Sequence, residues 1–253
     1  MDQLREITAE DVRAAIVGNE LFLEYLPMVA LQHQDRCCGC EALVRWRRQG
    51  VVIPPLDFIK VVEGTPISGL LTYWVIDTVG AELGDWLRAN PQARVAVNVP
   101  PEVLGRGGVL YAELKAKLEP VRRQVILEIT ERGVPDALGL EGLRMLSEED
   151  ICIALDDVSL DNSNLLVLSR VPVDMIKVDC QVVERLDRPG SQALLEGFAA
   201  LIHVGRQEVV AEGVERPSQA EVLREAGVQL AQGWLYSRPR PAADFIAWHA
   251  AHH

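Results

Sequence analysis

The feature that most constrains the fold is a recurring unit: a short apolar run with a polar residue near its end, followed by an amphipathic stretch. The runs cover residues 21–31 (LFLEYLPMVAL), 39–46 (GCEALVRW), 94–99, 124–130, 151–158, 175–179, 208–213 and 228–234. Residues 55–87 hold one or two helices, because Pro66 interrupts the pattern and proline is not tolerated inside a helix. Residues 110–118, 138–148, 192–204 and 218–226 carry helical periodicity. Ser218 stands where a helix cap belongs and Gly227 where a helix stops. Strands alternating with helices predict a largely parallel sheet with helices outside it. About eight strands in a chain of this length predict closure. The fold class is therefore α/β, a modified (β/α)8 TIM-type barrel. Its first two strands, joined by a turn at 32–36, are expected to pair antiparallel, an irregularity for such a barrel.

No Gly/Ser-rich or Pro-rich linker divides the 253 residues, and no internal repeat of solenoid length is present. The chain is thus read as a single domain spanning 1–253. The net charge of −12, with no basic stripe, argues against a nucleic-acid polymer as partner. No apolar run reaches the roughly 18 residues needed for a membrane segment. The N-terminus is polar and acidic, unlike a secretory signal, so a cytoplasmic location is expected. The five cysteines are odd in number, which argues against a disulfide framework. Cys37, Cys38 and Cys40 lack the second half of a zinc motif and are read as lining the start of a strand.

The polar residues in these runs are the candidates for chemistry. Glu41, Asn98, Glu128, the pair Asp156–Asp157, Lys177, Asp179, Glu212 and Gln232 each interrupt an apolar run on successive strands. An unpaired charge there is expensive, and the C-terminal strand ends of a barrel converge on one mouth. Singly, each has an ordinary structural explanation: Lys177 could pair with Asp179 or Asp157, Asn98 could form a turn, and Gln232 could satisfy a backbone group. Jointly they describe a site. Several carboxylates in one mouth need a counter-charge, and Mg2+ or Mn2+ prefers oxygen ligands. An adjacent aspartate pair can hold two ions through one bridging carboxylate, the usual clamp for phosphodiester hydrolysis. Spacing alone leaves open a second chemistry, enolisation of a carboxylate substrate with a lysine on a strand.

The segments Glu41–Trp46 (EALVRW), Asn98-Val99-Pro100, 127–131 (LEITE), 154–157 (ALDD), 176–179 (IKVD), 211–215 (AEGVE) and Gln232-Gly233 with Arg238-Pro239 resemble, in order, the motifs of EAL-domain cyclic di-GMP phosphodiesterases. The resemblance covers nearly the whole chain. It implies a single EAL domain, a barrel with an antiparallel first pair, and hydrolysis of cyclic di-GMP to linear pGpG with two Mg2+ or Mn2+ ions. It implies that Glu41, Asn98, Glu128 and Asp156 bind one ion, and that Asp156, Asp157 and Glu212 bind the other. Lys177, Glu212 and Asp157 would be catalytic, with Lys177 at the nucleophilic water. Arg45 and Leu43 would contact a phosphate and a base. Asp179, Glu215 and Gln232 would complete the substrate site, and Glu131 would brace the loop after the fifth strand. A homodimer is a further implication.

Three departures from the family pattern bear on activity. The loop after the paired aspartates reads Val158-Ser159-Leu160-Asp161-Asn162 where the family usually has an aromatic, two glycines and a threonine. Glycine permits backbone angles that Ser159 and Asp161 resist. Leu26 replaces a glutamine of the first strand that could hydrogen-bond a guanine edge, and Asp150 replaces a glycine before the fifth strand. Three functional classes follow: a phosphodiesterase slowed by its loop, a receptor that binds cyclic di-GMP with little turnover, and a protein-interaction module.

Overall fold

The structure is a computed structural model that describes residues 6–105, 107–119, 121–130, 137–159, 173–186, 188, 190–204 and 207–252. Strands β1 (Leu21–Ala30) and β2 (Arg36–Arg48) form the expected antiparallel hairpin, in a register that sets Leu26 opposite Glu41 and Glu24 opposite Leu43. Strand β3 (Val51–Ile53) adds antiparallel to the far end of β2. Strands β4 (Arg94–Asn98), β5 (Val125–Thr130), β6 (Cys152–Val158), β7 (Met175–Val178) and β8 (Glu208–Ala211) run parallel to their neighbours. Strand β9 (Leu230–Gln232) is parallel to β8 and antiparallel to β1. The order β1-β9-β8-β7-β6-β5-β4-β2-β3, together with the β1–β2 pairing, closes every strand except β3 into an eight-stranded barrel.

The helices in chain order are α1 (Ala9–Val17), α2 (Pro55–Val62), α3 (Pro66–Ala89), α4 (Pro101–Leu104), α5 (Gly107–Leu118), α6 (Ala137–Glu148), α7 (Cys180–Val183), α8 (Gln192–Val204), α9 (Pro217–Glu225) and α10 (Ala242–Ala251). Pro66 separates α2 from α3 and occupies the first turn of α3, where its missing N–H is harmless, behind Thr65, whose side chain accepts from the Ile67 N–H. Ser218 is not the cap of α9. That helix starts one residue earlier on Pro217, and the Gln219 side-chain oxygen accepts from the Glu215 and Arg216 backbone N–H groups. Gly227 does follow the last turn, with φ +84. Helices α1, α4, α7 and α10 and strand β3 were not anticipated; all but α1 and α10 are four residues or shorter. Cys37, Cys38 and Cys40 lie on β2. Among the described residues, no helix is long and apolar enough to cross a membrane.

The apolar core has three parts. The largest lies between the barrel and the helices, and a second sits where α1, α2 and the start of α3 cover Trp46 and Leu21. The third fills the barrel itself, where Met28, Ala96, Ile126, Ala154, Met175, Val210 and Leu230 meet. Fully burying such side chains contributes about 1.5–3 kcal/mol each for the larger ones. This inner layer positions the site. Side chains on a strand alternate between faces, so the residue two positions onward points inward again, one layer higher. Two positions after Ala96 is Asn98; after Ile126, Glu128; after Ala154, Asp156; after Met175, Lys177; after Val210, Glu212; after Leu230, Gln232. An apolar floor and a polar ring are thus consecutive layers of one barrel. On β2 the spacing differs. Cys38 packs at the floor and Glu41 comes three residues later, because a register shift opposite Met28 and Val29 accommodates an extra residue.

Candidate functional site

Lys177 is the centre of the polar ring. Its side chain is 1% exposed, and its Nζ lies 2.8 Å from Glu128 Oε1, 2.8 Å from Glu212 Oε1, 2.9 Å from Asp156 Oδ1 and 3.3 Å from Glu41 Oε2. One ammonium therefore faces four carboxylates, three on strands β2, β5 and β6 and one directly after β8. Its alignment toward Asp156 Oδ1 is not that of a hydrogen bond, so that contact is one of charge alone. Gln232 supplies the neutral donors: its Nε2 donates to Glu41 Oε2 at 2.7 Å and to Glu212 Oε1 at 2.9 Å. Asn98 Nδ2 donates to Glu41 Oε1 at 3.0 Å, which leaves the Asn98 amide oxygen for another partner.

The charges are not balanced, and the carboxyls show it. Burial pushes Glu128 well above the usual carboxylate range, and the neighbouring Glu41 carboxylate pushes the same way, while Lys177 opposes both. Burial also raises Glu212, up to about 8, against the pull of Lys177. For Glu41 burial is outweighed by Lys177, Gln232 and Asn98, and its carboxyl lies below the ordinary value. Burial opposes the charge on Lys177, but Asp156, Glu128, Glu212 and Glu41 together hold its ammonium protonated, well above the ordinary lysine range. Among the described residues, Glu128 Oε2 is buried without a hydrogen-bond partner. An unsatisfied buried oxygen of this kind calls for an explanation.

Asp157 belongs to the same site. Oxygens of Asp156, Asp157 and Glu212 all lie within 4.8 Å of one another. Asp157 adopts φ +58, a left-handed conformation that aspartate tolerates better than most residues. It lets two consecutive carboxylates reach one point, which an extended strand would send to opposite faces.

Leu43 and Arg45 share the strand face of Glu41 but stand beyond the barrel on the hairpin. Leu43 is half-buried, and Arg45 Nε donates to Glu24 Oε2 at 2.8 Å. Asp179 and Glu215 are not drawn into the network. Asp179 Oδ1 accepts from the Gln181 N–H at 2.6 Å as the cap of α7, and Glu215 is exposed. Glu131 and the part of the altered loop from residue 160 onward lie outside the described residues. Glu24 was missed in the sequence. The signal that finds it is period-two alternation, which sets Phe22, Glu24 and Leu26 of β1 on the face of Glu41, Leu43 and Arg45.

A family model for the EAL domain matches residues 9–239. The chain belongs to the EAL domain family. Relatives of this EAL domain include the probable cyclic di-GMP phosphodiesterase PdeB of Escherichia coli strain K12. The two are 33% identical over 245 residues, which cover 94% of this chain and 46% of PdeB. The chain therefore spans less than half the length of that relative. The solved structure of the PaMucR phosphodiesterase in complex with c-di-GMP superposes with a TM-score of 0.82 at 30% identity, covering 93% of this chain and 98% of that one. The EAL enzyme Bd1971, with cAMP and cyclic di-GMP bound, gives a TM-score of 0.84 at 26% identity over 94% of this chain and 67% of its own.

Proposed function

We propose that these residues form a single EAL domain that hydrolyses cyclic di-GMP to linear pGpG in the cytoplasm. The observation that carries the reading is the buried ring of Glu41, Glu128, Asp156 and Glu212 about Lys177, with Asp157 beside it. The names of PdeB and PaMucR, and the cyclic di-GMP bound to PaMucR and Bd1971, support the substrate.

The donor set fits hard divalent cations. Every candidate ligand atom is an oxygen, as Mg2+ and Mn2+ prefer. Among the described residues Glu128 Oε2 is buried and unpartnered, and the Asp156–Asp157–Glu212 oxygens are close enough for one ion. Glu41, Asn98, Glu128 and Asp156 would hold one ion, and Asp156, Asp157 and Glu212 a second. When bound, such ions supply an acidified water and neutralise charge building on phosphorus. The rest falls to the chain. Lys177 orients the attacking water and pulls its carboxylate neighbours toward the ionised form, against the burial that raises Glu128 and Glu212. Gln232 fixes Glu41 and Glu212 relative to each other. Arg45 binds a phosphate, and Leu43 offers an apolar seat for a base. Asp179, Glu215 and Glu131 act around this set, the last by bracing a loop, and a homodimer belongs to the same reading.

The altered sequence from Val158 to Asn162 favours slow turnover, and at its limit a receptor that binds without cleaving. Incubation with cyclic di-GMP and Mn2+, followed by chromatography, tests the proposal. Accumulating pGpG that disappears with chelator supports it. Saturable binding without product leaves the receptor, and neither binding nor product removes the nucleotide altogether.

A further inference from the structure

On the proposed cyclic di-GMP reading, Leu26 stands where the family pattern has a glutamine able to meet a guanine, and the chain carries a polar group two residues earlier on the same face. Strand alternation puts Phe22, Glu24 and Leu26 on one side of β1. That side is the one from which Glu41 enters the polar ring, since Leu26 is opposite Glu41 and Glu24 is opposite Leu43. Cross-strand partners on a shared face stand about 4.5–5.5 Å apart at Cβ. A base seated on Leu43 therefore has the Glu24 carboxylate as its neighbour.

The carboxylate is held in place and is not used up. Arg45 reaches diagonally across the hairpin and donates its Nε to Glu24 Oε2 at 2.8 Å, while the Arg45 side chain is 16% exposed and that of Glu24 is 28% exposed. Oε1 has no hydrogen-bond partner among the described residues. An ionised carboxylate offers about four lone-pair sites, so one bond from Arg45 leaves room for more. Guanine presents two adjacent donors on its Watson–Crick edge, N1–H and the N2 amino group, and a carboxylate accepts both at once. Adenine presents an acceptor at N1, which a carboxylate repels. Hypoxanthine keeps N1–H and lacks the amino group.

The geometry points to Glu24 as the residue that reads the Watson–Crick edge of a guanine, in place of the glutamine lost at Leu26. The assignment rests on the cyclic di-GMP reading and deepens it. It also gives Arg45 two tasks: its guanidinium fork has five N–H donors, and the Nε bond to Glu24 and the Nη1 bond to Val44 O at 3.0 Å leave Nη2 for a phosphate.

The test is competition binding of cyclic di-GMP, cyclic di-IMP and cyclic di-AMP to wild type, Glu24→Gln and Glu24→Ala, with chelator present to prevent turnover. Loss of the Glu24 brace on Arg45 weakens all three ligands alike, whereas loss of a base contact changes their ratio. Wild type is expected to prefer cyclic di-GMP over both others. Glu24→Ala is expected to shrink that preference about tenfold, the size of one hydrogen bond to a charged group. Glu24→Gln, the same shape with one acceptor oxygen, is expected to fall between. Wild type that binds cyclic di-GMP with a preference unchanged in Glu24→Ala overturns the assignment and leaves the proposed function intact. Absence of saturable binding of any of the three to wild type overturns both.

Discussion

Replacing Lys177 with methionine removes the one ammonium that four carboxylates share while keeping most of the side-chain volume. The contacts at 2.8, 2.8, 2.9 and 3.3 Å vanish, and Glu41, Glu128, Asp156 and Glu212 are left with the neutral donors Gln232 and Asn98. Removing one partner of a buried ion pair typically destabilises by 3–5 kcal/mol, because the other charge stays buried and unpaired. A domain of this size loses about 2–4 °C of Tm per kcal/mol. Together these give a fall of roughly 6–20 °C. Protonation can relieve the strain, since Glu128 and Glu212 are already pushed upward, so the comparison belongs at pH 8 or above. Thermal melts in chelator report the loss. Mn2+ should restore much of it, because a divalent cation answers the same electrostatic need. Glu128→Gln is the companion: it removes one of the competing charges and should hold or raise the Tm in chelator. If Lys177→Met melts within about 2 °C of wild type in chelator, the ammonium is not what holds the ring together.

Three further outcomes follow from the same geometry. Glu212 has its carboxyl raised from 4.5 to about 8, so its contribution to stability is fully present below pH 4.5 and is lost as the pH rises through 8. Melting temperature in chelator should therefore fall across that window and flatten with Mn2+; a rise with pH in chelator would contradict the charge assignment. Gly233→Ala would set a Cβ 2.2 Å from Val214 O and 2.3 Å from Val214 N, so the backbone beside Gln232 must move, and denaturant unfolding should show a loss of about 1–3 kcal/mol. Grafting Val158→Phe, Ser159→Gly, Leu160→Thr, Asp161→Gly and Asn162→Tyr together should speed single-turnover pGpG formation, with Mn2+ outperforming Mg2+ in the ungrafted chain because Mg2+ demands stricter octahedral geometry. An unchanged rate would show that the loop does not limit turnover.

The barrel was legible because its signal is periodic. Apolar runs broken by Glu41, Asn98, Glu128, Asp156, Lys177, Glu212 and Gln232 recur at the positions where an inward-facing strand residue passes from the floor to the mouth. The seven were singled out together because each is anomalous in its run, and convergence follows from strand ends meeting in a barrel. What was not legible depends on contacts between strands. The ordinary explanation of Lys177 was a pair with Asp179 or Asp157, whereas its four partners are Glu41, Glu128, Asp156 and Glu212, brought in by other strands or their ends. The extra residue on β2 is a register effect that neither strand reveals alone. Ser218 has the chemistry of a cap, yet Pro217 takes the first helical position and the Gln219 side chain does the capping. Asp150, which replaces a glycine of the family pattern, has φ +58 and pairs with Arg123 at 2.7 Å, which explains why a glycine suits that position. Glu24 carried no motif, and its place became visible only when the hairpin register put it beside Leu43.

On the proposed function, the buried carboxylates around Lys177 are a divalent-cation site serving a cyclic dinucleotide. Calorimetric titration of the metal-free protein with Mn2+, in the presence of cyclic di-GMP, tests it most directly. Wild type is expected to bind Mn2+ saturably, with binding sharply weakened by Asp156→Ala, the carboxylate common to both proposed ion positions, and by Glu128→Ala. No measurable Mn2+ heat in wild type, or binding that neither substitution alters, would contradict it.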